Sequence, residues 1–175
     1  MRPLLLALLT LIPVVSSAQD QPLGPLAAAL KSSLTRYSAN MPGAADLMPA
    51  DKYDFKPTPE QLSFAEILAH EAQSNELLCA AIAGGPPASA APTTGSTAPK
   101  DSLLARLRRS FDYCGSVVAQ LKEAALGDSV PVTSTRKMTR ARAIIVLAMD
   151  WADHYAQAAM YLRANGILPP SARRP

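Results

Sequence analysis

The sequence predicts an all-α four-helix bundle. Three observations carry this reading. Four long segments repeat their apolar residues at the spacing of a helix. Helix start and stop signals bracket those segments. No stretch alternates apolar and polar residues in the manner of a half-buried strand.

Residues 1–18 are set aside first. Met1-Arg2 supplies positive charge, and Leu4 to Val15 is apolar except for Thr10 and Pro13. Ser16-Ser17-Ala18 places small residues before an expected cleavage after Ala18. This is the layout of a secretory signal peptide. The apolar run falls short of the roughly 20 residues that span a bilayer. No cysteine follows the cleavage site, so a lipid anchor is not expected. The domain expected to remain is 19–175, periplasmic or secreted and without membrane attachment after cleavage.

Helix one is expected over Leu23–Asn40, where Leu26, Ala29, Leu30, Ser33, Leu34 and Tyr37 share one face. Met41-Pro42-Gly43 is expected to stop it. A long connection, Ala44 to Leu62, follows. Its Tyr53 and Phe55 are expected to pack over one end of the bundle.

Helix two has two overlapping start signals, Thr58-Pro59-Glu60-Gln61 and Ser63-Phe64-Ala65-Glu66. It is expected to reach Ala83, where Gly84-Gly85-Pro86-Pro87 ends it. Phe64, Ile67, Leu68, Leu78 and Ile82 form its core stripe. Glu71 and Asn75 fall on the same stripe, and polar groups on a buried face must find partners.

Residues 84–100 read as a flexible internal linker of Gly, Pro, Ala, Thr and Ser. Helix three is expected from Asp101-Ser102 to Leu126, with Leu103, Leu104, Leu107, Phe111, Cys114, Val118 and Leu121 on its apolar face. Val130 to Thr135 connects it to helix four, expected over Arg136–Asn165. Val146, Leu147 and Met149 make the middle of helix four apolar on nearly every side, so it is expected to be the most buried. Asn165-Gly166 and Pro169-Pro170 end it.

The formal net charge is +3, with aromatics at 5%. Apart from Arg106, Arg108 and Arg109, and Arg136, Lys137, Arg140 and Arg142, the basic residues are scattered. This pattern argues against a nucleic-acid partner. The two cysteines, Cys79 and Cys114, either form a disulfide between neighbouring helices or are two buried small side chains.

The candidate site rests on the only two histidines, His70 and His154. Asp150 precedes His154 by four residues, about 40° away on the helical wheel, so the two share a helix face. With His70 from another helix, two imidazoles and a carboxylate suit a divalent metal such as Zn, Fe, Mn or Ni. The bland alternatives are a hydrogen-bonded Asp150/His154 pair and a border histidine at position 70. Glu66, one turn before His70, is either an acceptor behind that imidazole or a capping-box glutamate. Glu71 is either a general base or a buried partner for Arg163 or Tyr155. Tyr155 and Tyr161 are further candidates for the surroundings of the metal.

Two stretches carry a family resemblance. One is Met48-Pro49-Ala50-Asp51-Lys52-Tyr53-Asp54-Phe55-Lys56-Pro57-Thr58-Pro59, running on through Ser63-Phe64-Ala65-Glu66-Ile67-Leu68-Ala69-His70. The other is Asp153-His154-Tyr155-Ala156-Gln157 followed by Tyr161-Leu162-Arg163-Ala164-Asn165-Gly166-Ile167-Leu168-Pro169-Pro170. Together they resemble the DinB-like superfamily of metal-dependent proteins, which includes thiol-dependent transferases. The resemblance implies a four-helix bundle, often a homodimer, with a divalent metal on three histidines and a small-molecule substrate. His70 and His154 match two of those histidines. Asp150 stands in place of the third, and Ala156 where many members have glycine. Two functions follow as expectations: a metal-dependent thiol transferase or hydrolase, or a metal-free or metal-storing exported bundle that binds or scaffolds.

Overall fold

The computed structural model describes residues 24–85 and 98–173. The expected signal segment and most of the expected linker lie outside the described residues. Four long helices form the domain: α1 Pro25–Leu47, α2 Phe64–Ala83, α3 Lys100–Ala119 and α4 Arg140–Ala164. Single 3-10 turns lie at 50–52, 123–125 and 170–172.

Cross-helix contacts fix the directions. Asn75 meets Ser110 and Cys79 meets Cys114, so α2 and α3 advance together and run parallel. Trp151 meets Asn75 and His154 meets Glu71, so α4 runs antiparallel to α2. Leu26 donates its N–H to Glu123, and Lys100 reaches the carbonyl of Asp46, so α1 runs antiparallel to α3. The order is up-down-down-up. The end of α2 and the start of α3 therefore lie at opposite ends of the bundle, about 30 Å apart for helices of 20 residues. This distance accounts for the long connection between them.

The stop expected at Met41-Pro42-Gly43 is not used, because α1 runs through Pro42 to Leu47. Pro42 forfeits one helical hydrogen bond, but groups from elsewhere hold the turn beyond it. Tyr53 Oη donates to the Ala45 carbonyl at 2.7 Å. Lys100 Nζ donates to the carbonyls of Asp46 and Met48 at 2.7 and 2.8 Å. These bonds satisfy end carbonyls that have no partner within the helix.

Of the two start signals for α2, Ser63 is the one used. Ser63 Oγ accepts from the Glu66 N–H at 3.2 Å, and Glu66 Oε2 accepts from the Ser63 N–H at 2.7 Å. The connection before α2 packs over the bundle end, as Tyr53 stacks edge-on against Phe64 and Phe55 against Tyr161. The Ser63 backbone N–H, then the Ser63 hydroxyl and Lys56, hold the Glu66 carboxyl below its ordinary range. A carboxyl depressed in this way stabilises the fold above its unfolded value and stops doing so as pH falls through its folded value. Glu66→Ala is therefore expected to cost about 1 kcal/mol at neutral pH. The deficit should narrow below about pH 4, which urea melts at pH 7 and pH 3 would show.

α3 ends at Ala119, short of the expected Leu126. The residues beyond it serve other helices. Glu123 accepts the N–H groups of Leu26 and Ala27 at the start of α1. The carbonyls of Leu126 and Asp128 accept the first N–H groups of α4. A short antiparallel hairpin follows, β1 Ser129–Pro131 and β2 Lys137–Thr139, pairing Val130 with Met138. The strands are three residues each, too short to show alternation. The hairpin moves the start of α4 from the expected Arg136 to Arg140, where Thr139 Oγ1 accepts from the Arg142 N–H.

The core draws on every helix, with Phe64, Leu107, Leu147, Trp151 and Leu162 among its most enclosed side chains. α4 is less enclosed than its composition suggests. Ile145 and Met149 face outward at 52% and 65% exposure, because each rod in a four-helix bundle keeps an outer face.

One bond ties the layers together. Cys79 and Cys114 form a disulfide with Cα atoms 5.4 Å apart. One turn away, Asn75 Nδ2 donates to Ser110 Oγ at 3.0 Å, and Trp151 Nε1 donates to Asn75 Oδ1 at 2.6 Å. On the surface of the same helix pair, Arg106 makes a two-pronged bond to Glu76.

Candidate metal centre

The antiparallel pairing of α2 and α4 sets His70 opposite His154, with ring centroids 4.8 Å apart. Asp150 lies on the same face of α4, one turn before His154. One ligand atom from each of His70, Asp150 and His154 lies within 4.8 Å of the others. His70 is exposed, Asp150 half-buried and His154 buried. The cluster therefore opens to solvent on the α2 side and is anchored in the core on the α4 side.

His154 has a defined orientation. Its Nδ1 lies 2.9 Å from the Asp150 carbonyl. A carbonyl oxygen only accepts, so Nδ1 carries a hydrogen and Nε2 is the nitrogen left to ligate. Nδ1 also has Glu71 Oε2 at 3.4 Å and Asp150 Oδ1 at 3.5 Å. Burial disfavours the charged imidazole, but the bond to Asp150 and the charges of Asp150 and Glu71 outweigh it and raise its pKa to about 9. Glu71 has no solvent exposure. Burial, reinforced by Asp150 and opposed by His154, pushes its carboxyl up to about 8.

Three buried carboxylate oxygens, Glu71 Oε1 and Oε2 and Asp150 Oδ2, have no hydrogen-bond partner among the described residues. Leaving such atoms unpaired is costly. Of these, the Asp150 oxygen belongs to the cluster itself, and two imidazoles beside an unpaired carboxylate oxygen fit a divalent cation by charge and donor type.

Other sequence candidates have different partners. Glu66 is held by Ser63 and by Lys56 at 3.3 Å. Tyr155 Oη donates to Ser171 Oγ and accepts from the Ser171 N–H. Tyr161 Oη donates to the Leu62 carbonyl. Arg163 bonds the Ala159 carbonyl rather than Glu71. Glu71 instead faces Asp150 and His154. Its place on the core stripe was the sequence signal for a buried partner, but that signal did not say which partner.

Fold and cluster together define a class: an all-α bundle with a His/Asp/His constellation at a helix–helix seam. The sequence model of the DinB superfamily matches residues 33–158, and the chain belongs to that superfamily. Its fold is similar to that of a DinB-like protein from Bacillus subtilis, at TM-score 0.65 and 20% identity over 84% of this chain and 99% of that one. It is also similar to a DinB-like protein from Bacillus cereus, at TM-score 0.68 and 10% identity over 82% and 95%. A third similar structure is a mycothiol-dependent maleylpyruvate isomerase, at TM-score 0.61 and 17% identity. That match covers 81% of this chain but only 62% of the isomerase. No curated protein sequence matches the chain.

Proposed function

We propose that this protein is an exported metal-dependent enzyme of the thiol transferase or hydrolase type, with one divalent cation held by His70, Asp150 and His154. The observation that carries the reading is the convergence of their ligand atoms within 4.8 Å beside an unpartnered Asp150 oxygen. A divalent metal on such a set acts as a Lewis acid and lowers the pKa of a bound thiol or water. The chain's own residues divide the remaining work. His154 is fixed through Nδ1, and Asp150 brings negative charge from the same helix face. Exposed His70 leaves the solvent side open to a small-molecule substrate. Membership of the DinB superfamily and the fold shared with a mycothiol-dependent enzyme support the thiol class. The signal-like pattern of residues 1–18 and the paired cysteines support an oxidising compartment outside the cytoplasm.

The test is metal content. Purified protein, as isolated and after reloading with Zn, Ni, Fe or Mn, is expected to retain about one metal per chain by elemental analysis. His154→Ala is expected to retain little or none. Wild-type protein that holds no metal after reloading would favour a metal-free binding module instead.

A further inference from the structure

Glu71 lies beneath the cluster, and no ordinary structural role accounts for it. It is fully enclosed, and neither oxygen accepts a hydrogen bond from any described residue. Its single candidate counter-ion is the His154 imidazole, and it has none of the amide donors that a buried carboxylate kept for stability gathers. The charged groups facing Glu71 are Asp150, which repels it, and the His154 imidazole, whose Nδ1 lies 3.4 Å from Oε2. Nδ1 points away from the nitrogen left for a metal, so Glu71 stands behind the ligand.

We infer that Glu71 is a positioning residue of the metal centre: from the buried side it holds the His154 ring so that Nε2 faces the cation. This inference rests on the metal reading above. Carboxylates placed behind a ligating imidazole set its tautomer and orientation, and losing one typically weakens metal binding 10- to 100-fold. The Asp150 carbonyl takes the Nδ1 hydrogen bond from α4 itself, while Glu71 backs Nδ1 from α2 by charge alone, 3.4 Å away. The two helices thereby fix the ring from both sides. This reading gives Glu71 no proton to move and differs from a general-base role.

The test compares full-length wild type, Glu71→Gln and Glu71→Leu by two readouts. One is affinity for Zn²⁺ or Mn²⁺ alone, measured by chelator competition. The other is thermal stability after metal removal. Both variants are expected to bind metal at least 10-fold more weakly. Metal-free Glu71→Gln is expected to lose far less stability than metal affinity, because the Glu71 contact to His154 Nδ1, at 3.4 Å, is not a hydrogen bond. A merely structural residue would lower stability and affinity together, and that result would overturn the inference. So would metal affinity within 2-fold of wild type in both variants. Wild-type protein that binds no metal would instead sink the underlying metal reading, a failure visible before any variant is made.

Discussion

Reduction of the Cys79–Cys114 bond is expected to lower the stability of the domain by about 4 kcal/mol. The bond closes a loop with a sequence separation of 35 residues. Within that loop lies the return path between two parallel helices whose facing ends are a bundle length apart. Opening the bond frees the unfolded chain to explore that path, which is the main source of the cost in the chain-entropy account. Urea melts with and without reductant would measure the loss, and the melting temperature should fall by on the order of 10 °C. A Cys79→Ala/Cys114→Ala variant should match the reduced wild type, apart from a small packing loss at two fully buried positions. A midpoint unmoved by reduction would mean that helix packing alone sets the register of α2 on α3.

Asn75→Ala is the second large effect, expected to cost about 2–4 kcal/mol. Asn75 has no solvent exposure and uses both ends of its amide. Oδ1 accepts from the Trp151 indole N–H at 2.6 Å, and Nδ2 donates to Ser110 Oγ at 3.0 Å. Removing the amide strands the indole donor inside the core and leaves a small void. Ser110 keeps its own bond to the Leu107 carbonyl, so most of the penalty falls on Trp151. Trp151 packs against Tyr37 and Phe111, which limits how far it can relax. Denaturant titration should show a lower midpoint with little change in slope. Ser110→Ala should cost clearly less, because the indole bond survives it.

Both effects concern residues whose positions were legible in the sequence while their partners were not. The apolar period on α2 puts Glu71 and Asn75 toward the interior. Nothing in that period says that Asn75 meets Trp151, or that Cys79 meets Cys114. Those facts depend on helix direction, and the up-down-down-up order is written in contacts far apart in the chain. Similarly, the i,i+4 spacing of Asp150 and His154 places both on one face. That spacing is silent on His70, which joins them through the antiparallel seam of α2 and α4.

Element ends were harder to read than element faces. Pro42 looked like a stop because its effect on its own helix is local and visible. The lysine and tyrosine that hold the following turn lie up to 54 residues away along the chain. The hairpin before α4 is too brief to carry a period. It takes the connecting residues that helix periodicity alone would have given to α3 and α4.

The parallel pairing of α2 and α3 has a consequence for how the protein would behave if its chain were broken. The bridge joins one residue before the long return to one after it. A single peptide cleavage anywhere between Gly84 and Pro99 would therefore leave both pieces covalently attached. Such a nicked protein would migrate as one species on a non-reducing gel and as two on a reducing gel. The residues of the proposed metal centre would remain tethered, although His70 and His154 would then belong to different polypeptides.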